Sequence, residues 1–252
     1  MSSSFVNRRR EEIVRLLEKN TSMNVSDLTK RFGVSSLTIR RDLDHLVEEG
    51  IIERSYGMAT LAAPHSLDTD YEREHVKKAI AARAAQLVEG GEMIYINTGT
   101  TALGILEYVT AEGVTVITNN GRALSSTQPP SSTIILTGGE IRVPKWSMTG
   151  DFALANIAQV HADKCFMSCS GLSAERGLTT NIAQEMRINM LMLDNSRVHI
   201  ALADSSKIGA DASFSYGEMA RIDILVTDSF ATDDQIDALM AAGVKKIIRV
   251  SV

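Results

Sequence analysis

Hydrophobic and polar residues follow a helical period through much of the first fifty positions. Residues 8–19 form one amphipathic segment, and Val25–Phe32 forms a second one, whose start Ser26 can cap. Gly33 follows directly, and glycine is the residue that most easily takes the left-handed conformation of a tight turn. The pattern therefore predicts a supporting helix and then a short helix that ends in a turn.

A third amphipathic segment follows the turn and carries paired arginines. Ser35 or Ser36 can cap its start. Its apolar stripe consists of Ile39, Leu43, Leu46 and Val47. At about 100° per residue, Leu37 and Arg41 lie opposite this stripe and Arg40 lies on its flank. A helix that is buried on one side and offers Ser, Thr and two Arg from its N-terminal half is typical of DNA recognition.

Two short strands are predicted behind this helix, around Tyr56-Gly57 in residues 51–63, where they form a wing. The segment GVSSLTIRRDLDHLVEEGIIERSYG, residues 33–57, resembles the winged helix-turn-helix signature of the DeoR family of bacterial sugar-metabolism repressors. The wing departs from the family pattern, which usually has two consecutive glycines where this chain has Gly57-Met58. The residues predicted to contact DNA are Ser35, Ser36, Leu37, Thr38, Arg40, Arg41 and Tyr56.

The composition of the 252-residue chain, with 44% hydrophobic and 23% charged residues, is that of an ordinary globular protein. Its formal net charge is −5, yet residues 1–60 hold 10 Lys and Arg against 9 Asp and Glu. The cations of this nearly neutral module cluster at residues 8–10, 30–31 and 40–41. We therefore expect a small footprint on double-stranded operator DNA, for which a homodimer or higher oligomer would compensate.

Cys165 and Cys169 are the only cysteines, and we expect both to be small buried residues. Four residues apart in a strand they are too distant for a disulfide, and two thiols without a neighbouring histidine do not predict a metal site. No cofactor is predicted. The chain shows no signal peptide, membrane-spanning run or lipidation motif, so we expect a cytoplasmic protein without a membrane partner.

The domain boundary is predicted from a break in periodicity. We expect a DNA-binding domain over residues 1–63, with the helix-turn-helix motif at about 23–42. Residues 64–70 contain a proline and no apolar period, and they are predicted to form a linker. Residues 71–252 then form an effector-binding and oligomerisation domain. Its first segment, residues 71–88, is an alanine-rich helix that either caps the domain or forms a dimer contact.

Short β-rich runs alternate with helical segments through the rest of the chain. The predicted strands are residues 93–97, 114–118, 133–137, 164–169, 198–203, 223–227 and 245–250. The predicted helices between them are residues 101–108, 151–159, 183–196 and 233–242. This alternation predicts an α/β fold in which helices cover both faces of a mostly parallel sheet.

Ligands of such sheets bind at the carboxyl ends of the strands. Here the first strand runs into Thr98-Gly99-Thr100-Thr101, where converging amides, hydroxyls and a helix start suit a phosphate or another anion. The same loop is also compatible with an ordinary strand-to-helix turn. Asn119, the pair Gly138-Gly139 with Arg142 nearby, and Lys207 stand beyond later strand ends. A lysine in that position can pair with a phosphate.

The second half also resembles the DeoR effector domain, which is of the sugar-phosphate-isomerase type. The resemblance implies that Gly99, Thr100, Thr101 and Lys207 hold a phosphorylated sugar, with Gly138 and Gly139 lining the mouth. Asn97 stands where aspartate is common, and Asn189 replaces a usual lysine, while Glu185 matches an acidic position. The predicted effector-binding residues are Asn97, Thr98, Gly99, Thr100, Thr101, Asn119, Gly138, Gly139, Arg142, Glu185 and Lys207.

These patterns predict a transcriptional repressor of a carbohydrate-metabolism operon, controlled by a small anionic effector, most simply a sugar phosphate. The alternative is a sugar-phosphate isomerase or deaminase with an accessory DNA-binding module, in which Glu185, Asp204 and Lys207 would be the acid–base groups. The sequence contains no Walker A loop, dinucleotide fingerprint, nucleophile elbow or zinc-protease helix. We therefore predict no catalytic residue and no enzymatic activity.

Overall fold

Two units divide the chain in the computed structural model, residues 1–72 and residues 73–252. The structure describes residues 2–20, 22–48, 51–55, 58–61, 67–143 and 145–252. The first unit consists of α1 (Ser2–Lys19), β1 (Met23–Asn24), α2 (Val25–Phe32), α3 (Ser36–Glu48), β2 (Ile52–Ser55) and β3 (Met58–Leu61). The three strands form an antiparallel sheet in the order β1-β3-β2, so the predicted wing is present and gains a third, two-residue strand.

The termini of α2 and α3 show which side chains cap them. The side chain of Asn24 accepts a hydrogen bond from the Asp27 amide at 2.8 Å and caps α2, so the predicted Ser26 cap is wrong. Gly33 has φ 63° and ψ 27°, which confirms the left-handed turn. The Ser35 hydroxyl accepts from the Thr38 amide at 3.1 Å at the start of α3.

The core of the first unit comes from the apolar stripes of its helices. Its buried residues include Ile13, Leu17, Leu28, Ile39, Leu43, Leu46 and Ile52. Val47 was expected in this stripe but is 39% exposed, because it lies one position past Leu46 and turns away from the core. The inner side of α3 is therefore narrower than the sequence suggested.

Part of the predicted linker is helical. Helix α4 (Leu67–Ala85) begins four residues before the predicted helix start, so residues 67–70 are helical, while residues 64–66 of the predicted linker lie outside the described residues. Within the second unit, Val76, Ile80 and Ala84 of α4 are buried in the same cluster as strand residues. This burial favours the domain-capping role of the helix over the dimer contact.

A seven-stranded parallel sheet forms the centre of the second unit and confirms the predicted α/β fold. Its strands are β4 (Met93–Ile96), β5 (Thr115–Thr118), β6 (Thr133–Leu136), β9 (Ala162–Ser168), β12 (Ser196–Leu202), β14 (Ile224–Asp228) and β15 (Lys246–Val250). They lie in the order β15-β14-β12-β9-β4-β5-β6, and every neighbouring pair is parallel. All seven predicted strands are present, with shifts of one or two residues at their ends.

Helices cover both faces of this sheet. They are α4, α5 (Thr100–Leu103), α6 (Asp151–Ala158), α7 (Ala183–Asp194) and α8 (Asp233–Ala241), with 3-10 turns at Gly104–Glu107, Gly121–Ser125, Ser205–Lys207 and Met219–Arg221. Successive strand residues point to opposite faces. Tyr95 is accordingly buried in one hydrophobic cluster, whereas its neighbours Ile94 and Ile96 are buried in the other.

Five short strands in the second unit were not predicted. They are β7 (Glu140–Arg142), β8 (Ser147–Thr149), β10 (Gly171–Ser173), β11 (Gly177–Thr180) and β13 (Phe214–Gly217). The first two form a hairpin, and the other three form an antiparallel sheet. Three or four residues are too few to show a period of two, so these strands leave no periodic signal along the chain.

Chain order in the parallel sheet reverses at β4. The chain passes from β4 through β5 to the edge strand β6, and it then returns to β9 on the other side of β4. Connections therefore leave β4 and β9 in opposite directions, and a crevice opens between their carboxyl ends. This is the position at which open α/β sheets bind ligands.

Candidate DNA-binding face and effector cleft

Helix α3 has the one-sided burial that DNA recognition requires. Ile39 and Leu43 are fully buried, whereas Leu37 is 59% exposed and Arg40 and Arg41 are both exposed. The predicted geometry of an apolar side held in the core and a cationic side left free is therefore present in this unit.

The other residues predicted to contact DNA differ in their exposure and in whether their hydroxyl groups already form hydrogen bonds. Ser36 is exposed, but the Ser35 hydroxyl is used as the helix cap and lies 2.9 Å from the hydroxyl of half-buried Thr38. These two hydroxyls hold the first turn of α3. Tyr56 lies outside the described residues, so its predicted contact stays a prediction.

Two arginines of the basic cluster at residues 8–10, which was expected to contact DNA, form ion pairs within the unit. Asp42 on α3 has a side chain only 3% exposed, and its two oxygens accept from the Nε atoms of Arg9 at 2.6 Å and Arg10 at 3.2 Å. Both guanidinium groups are therefore internally paired, and they fasten α1 to α3. The single Asp42 carboxylate offsets half of the combined positive charge of Arg9 and Arg10, so these two residues contribute less to the DNA footprint than their number suggests.

A small polar cleft lies at the crevice between β4 and β9. Its lining residues are Asn97, Thr98, Gly99, Lys145, Ser168, Cys169, Ser170, Thr180, Glu185 and Asn189. The enclosed space is about 60 Å³, well below the about 300–1,000 Å³ of typical small-molecule sites, so in this structure the cleft holds only part of a small ligand. Four of the predicted effector residues, Asn97, Thr98, Gly99 and Glu185, lie in this lining.

The loop after β4 is held against β9 at van der Waals distance. A Cβ atom placed on Gly99 would lie 2.0 Å from Cβ of Ser168, so only glycine fits there. The Ser168 hydroxyl accepts from the Ala102 amide at 2.9 Å and caps α5. Within the described part of the chain, the amides of Thr100 and Thr101 have no hydrogen-bond partner, and they remain as donors at this loop.

The helix predicted over residues 101–108 is only one α-helical turn, Thr100–Leu103, followed by a 3-10 turn. A helix this short has a small dipole. An anion at this loop would therefore be held mainly by individual amide and hydroxyl donors. The N-terminus of α5 therefore contributes less positive partial charge at this loop than the sequence predicted.

Asn97 shapes the cleft from within. Its Nδ2 group donates to the Ser168 carbonyl at 2.8 Å and to Oδ1 of Asn189 at 3.3 Å. Its Oδ1 atom accepts from the amides of Ser168 at 3.0 Å and Gly99 at 3.3 Å. These four bonds use the full capacity of the side-chain amide. Asn97 therefore positions the loop, and the two positions that depart from the family pattern, 97 and 189, contact each other.

Glu185 places a carboxylate in the inner wall of the cleft. The residue is 3% exposed, and its Oε2 atom accepts from the Thr180 hydroxyl at 3.3 Å and lies 3.9 Å from Nζ of Lys145. Its Oε1 atom is buried and has no hydrogen-bond partner among the residues that the structure describes. A buried acceptor in this state is stabilised when a ligand supplies a donor.

Seven predicted effector residues are absent from the lining. Thr100 and Thr101 follow the lining residue Gly99 directly in the chain. Asn119 is buried, and its Nδ2 group donates to the Met148 carbonyl at 3.3 Å, which ties the end of β5 to β8. Asn119 therefore joins two strands and does not line the cleft.

The pair Gly138-Gly139 forms the turn between β6 and β7, with φ of 70° and 103°. A Cβ atom on Gly139 would lie 2.4 Å from the Thr149 carbonyl, so this glycine serves close backbone packing. Arg142 is exposed on the β7–β8 hairpin. The structure therefore does not bring these three residues to the lining of the cleft.

Lys207 lies beside the cleft and not in its lining. Burial raises the pKa of the lining thiol Cys169 to about 12, and the nearby charge of Lys207 opposes this rise. Burial likewise raises the pKa of Cys165 to about 12. Both cysteines are free thiols. Cys165 is buried as expected, whereas Cys169 is only partly buried because it lines the cleft.

Lys145, Ser168, Cys169, Ser170, Thr180 and Asn189 line the cleft but were not among the predicted effector residues. Ser168 and Cys169 end a predicted strand, so a signal was available for them. Lys145 lies in the connection between the two strands of the β7–β8 hairpin, which the sequence did not reveal. Within the described residues, no group of three or more His, Cys, Asp or Glu side chains is placed to hold a metal, and no helix has the length and hydropathy needed to cross a bilayer.

Comparison with known proteins assigns both units. Residues 9–65 match the model of the DeoR-like helix-turn-helix domain, and residues 72–229 match that of the DeoR C terminal sensor domain. The HTH-type transcriptional regulator GolR of Listeria innocua is 32% identical over 228 residues, covering 88% of this chain and 90% of GolR. A lactose phosphotransferase system repressor of Streptococcus mutans is 30% identical over 240 residues, covering 92% and 95%. The regulator GlpR of Haloferax volcanii is 29% identical over 242 residues, covering 94% and 95%.

Proposed function

Because this chain belongs to the DeoR family of DNA-binding transcriptional regulators, we propose that it represses an operon of carbohydrate metabolism in response to a phosphorylated sugar. The relative from Streptococcus mutans is named as a lactose phosphotransferase system repressor, which supports the carbohydrate assignment. The family consists of regulators, so the isomerase or deaminase alternative is set aside.

The free side of α3 is the observation that carries the DNA-binding proposal. Arg40 and Arg41 are exposed on a helix whose opposite side is buried. In the major groove, arginine donates to O6 and N7 of guanine, and an exposed leucine such as Leu37 can contact a thymine methyl group. Contacts to phosphates would then fix the register of the helix on the duplex.

A dimer or larger homo-oligomer is proposed because one module has little net positive charge. Two modules would read half-sites spaced by whole turns of DNA and would double the phosphate contacts. The second unit is proposed as the site of oligomerisation, and the protein is proposed to act in the cytoplasm, together with the operator.

The effector is proposed to bind in the cleft between β4 and β9. Its phosphate would accept from the unpartnered amides of Thr100 and Thr101, with Lys145 and Lys207 contributing positive charge nearby. The remainder of the sugar would face Glu185. Release from DNA then requires that the effector binds one arrangement of the protein more tightly than the other, by a coupling of about 1–3 kcal/mol.

The test begins with selection of operator DNA from a random duplex pool by the full-length protein. Fluorescence anisotropy then measures binding of the selected duplex to the wild type, to Arg40→Ala with Arg41→Ala, and to the control Arg197→Ala, whose side chain is 82% exposed in the second unit. We expect lost affinity in the double variant and unchanged affinity in the control. A panel of sugar phosphates is then added to the complex. Equal operator binding by all three proteins would refute the DNA-binding assignment, and the absence of any effect in the panel would refute the effector class.

A further inference from the structure

The β7–β8 hairpin has one strand that is covered and one that is open. All three residues of β8 are buried, whereas all three residues of β7 are exposed. Strand β8 is also bonded to the end of β5, because the Met148 amide donates to the Asn119 carbonyl at 2.7 Å. Within the described residues, β7 pairs only with β8, so its other edge has no strand beside it. Such an edge can pair with a strand of another chain.

The open edge of β7 carries one charge of each sign, two positions apart. Glu140 and Arg142 lie on the same face of the strand, and Ile141 between them lies on the other face. Neither charged side chain forms an ion pair within the part of the chain that the structure describes. If two copies of β7 pair antiparallel about a two-fold axis at Ile141, Glu140 of each copy lies opposite Arg142 of the other.

The charges favour this register over its neighbours. A two-fold axis at Glu140 would place two carboxylates opposite each other, and an axis at Arg142 would place two guanidinium groups opposite each other. Opposite charges stabilise a cross-strand pair, whereas like charges destabilise it. The order Glu-Ile-Arg therefore makes the edge complementary to itself in one register, which is what an isologous dimer requires.

The two edge strands of the parallel sheet lack this complementarity. Strand β15 carries exposed Lys246 and Arg249, and charges of one sign on an edge oppose its pairing with a second copy. Strand β6 has the sequence Thr-Ile-Ile-Leu, so it contains no charge that would fix a register. Charge complementarity therefore selects β7 as the edge that meets a second copy.

Exposed apolar side chains lie on the hairpin and on the segments packed against it. Five of them are between 46% and 79% exposed: Leu124, Ile141, Val143, Trp146 and Phe152. The 3-10 turn that carries Leu124 is joined to the hairpin, because the Gly121 amide donates to the Trp146 carbonyl at 2.8 Å. Phe152 lies in the first turn of α6, three residues after β8 ends. The free edge therefore lies in an apolar neighbourhood.

The area of these side chains is sufficient for a dimer contact. A fully exposed side chain of this size presents about 150–200 Å², so the five leave roughly 500–600 Å² of apolar surface open. This is at the upper end of the largest apolar patch on an ordinary monomer, about 300–600 Å². It also matches the apolar share, about 60%, of the roughly 800 Å² that each partner buries in an interface of standard size.

We propose that β7 of one copy pairs antiparallel with β7 of a second copy about a two-fold axis at Ile141, with reciprocal ion pairs between Glu140 and Arg142. The two hairpins then form one four-stranded sheet in the order β8-β7-β7-β8. This inference rests on the proposed homo-oligomerisation of the second unit and names the surface that produces it. The connection within the same hairpin carries Lys145, which lines the cleft, so the dimer contact and the effector site share one structural element.

Charge reversal tests the pairing in the full-length protein. Analytical ultracentrifugation measures self-association of the wild type, of Arg142→Glu, of Glu140→Arg, and of the double variant with both changes. Each single variant places like charges opposite each other, so we expect its dissociation constant to rise about tenfold or more. The double variant restores opposite charges in reversed order and should associate like the wild type. An equimolar mixture of the two single variants should also associate, since one strand then carries two anions and the other two cations.

The matched control is Lys246→Glu, which reverses an exposed cation on the edge strand β15 and should leave the dissociation constant unchanged. Circular dichroism melts check that every variant is folded. Wild-type association of both single variants, or a double variant that stays dissociated, would show that this inference is wrong, while an oligomer formed through another surface would stand. A wild type that is monomeric at micromolar concentration would refute the proposed oligomer together with this inference. Operator binding of the wild type, measured separately by anisotropy, decides the DNA-binding assignment in either case.

Discussion

Replacing Gly99 by alanine tests whether the contact between the β4 loop and β9 holds the effector cleft in shape. Gly99 has φ −68° and ψ 141°, which alanine also adopts, so the substitution acts only through its added methyl group. That carbon would lie 2.0 Å from Cβ and 2.5 Å from Oγ of Ser168. Carbon atoms pack at about 3.5–4.0 Å, so the two strand ends must separate by roughly 1.5 Å.

The expected loss of stability follows from this displacement. Overpacking of this kind costs about 1–3 kcal/mol, and loss of the Ser168 cap on the Ala102 amide adds about 1 kcal/mol. A total of about 2–4 kcal/mol corresponds to a fall in melting temperature of roughly 4–16 °C for a unit of this size. Because Gly99 and Ser168 both line the cleft, we expect effector binding to weaken as well, while operator binding without effector is kept.

Differential scanning calorimetry measures the melting of the second unit, and calorimetric titration measures effector binding. The double variant Gly99→Ala with Ser168→Gly removes the obstructing side chain, so it should recover the steric part of the loss but not the cap. Gly90→Ala is the matched control, since its added carbon would lie at an ordinary 3.4 Å from the Glu112 carbonyl. A Gly99→Ala protein that melts and binds effector like the wild type would show that the close contact is not required. A double variant no more stable than Gly99→Ala would show that Ser168 is not the obstacle.

Three further predictions concern the recognition helix and the thiols. Arg41→Ala should weaken operator binding by about 1–3 kcal/mol in anisotropy titrations and leave the melting temperature unchanged, because the side chain is exposed; wild-type affinity would remove it from the interface. Asp42→Ala leaves two guanidinium groups unpaired and should destabilise the first unit by about 2–4 kcal/mol in thermal melts. This is somewhat less than the loss expected for a fully buried ion pair, because both arginines keep some exposure. An unchanged melting temperature would show that the ion pairs do not stabilise the unit. Cys165, which is fully buried and has its pKa raised to about 12 by burial, should not react with a thiol reagent at pH 8 until the protein is denatured; rapid modification of Cys165 in the native protein, located by peptide mass spectrometry, would contradict its burial.

Local patterns in the sequence were sufficient wherever a structure depends on residues close together in the chain. Apolar residues located all seven parallel strands, because an inner strand that is buried on both faces must be almost continuously apolar and the edge strands β6 and β15 keep short apolar runs. The exposed arginines of α3 followed from its 3.6-residue period. Gly33 was identified because few other residues take a left-handed turn at low cost.

Even local rules failed where two neighbouring residues could serve the same purpose. Asn24 and Ser26 are both suitable helix caps, and the pattern gave no reason to choose between them. The helix after the predicted linker also begins earlier than expected, because its first residues are mostly polar and show no apolar period.

The composition of the cleft depended on the order of the strands, which hydrophobic periodicity does not encode. Apolar alternation states that a strand is buried but not which strand lies beside it. Only the tertiary structure placed β9 next to β4, so that Ser168 meets Gly99. In the same way, it brought Asn97 against Asn189 across 92 positions, and Arg9 against Asp42 across 33. The sequence by itself determined the seven strands of the parallel sheet, the family resemblance and the recognition face. Contacts between distant segments decided which polar groups remain free for an effector, because each such group is either used by a neighbour or left open by the packing around it.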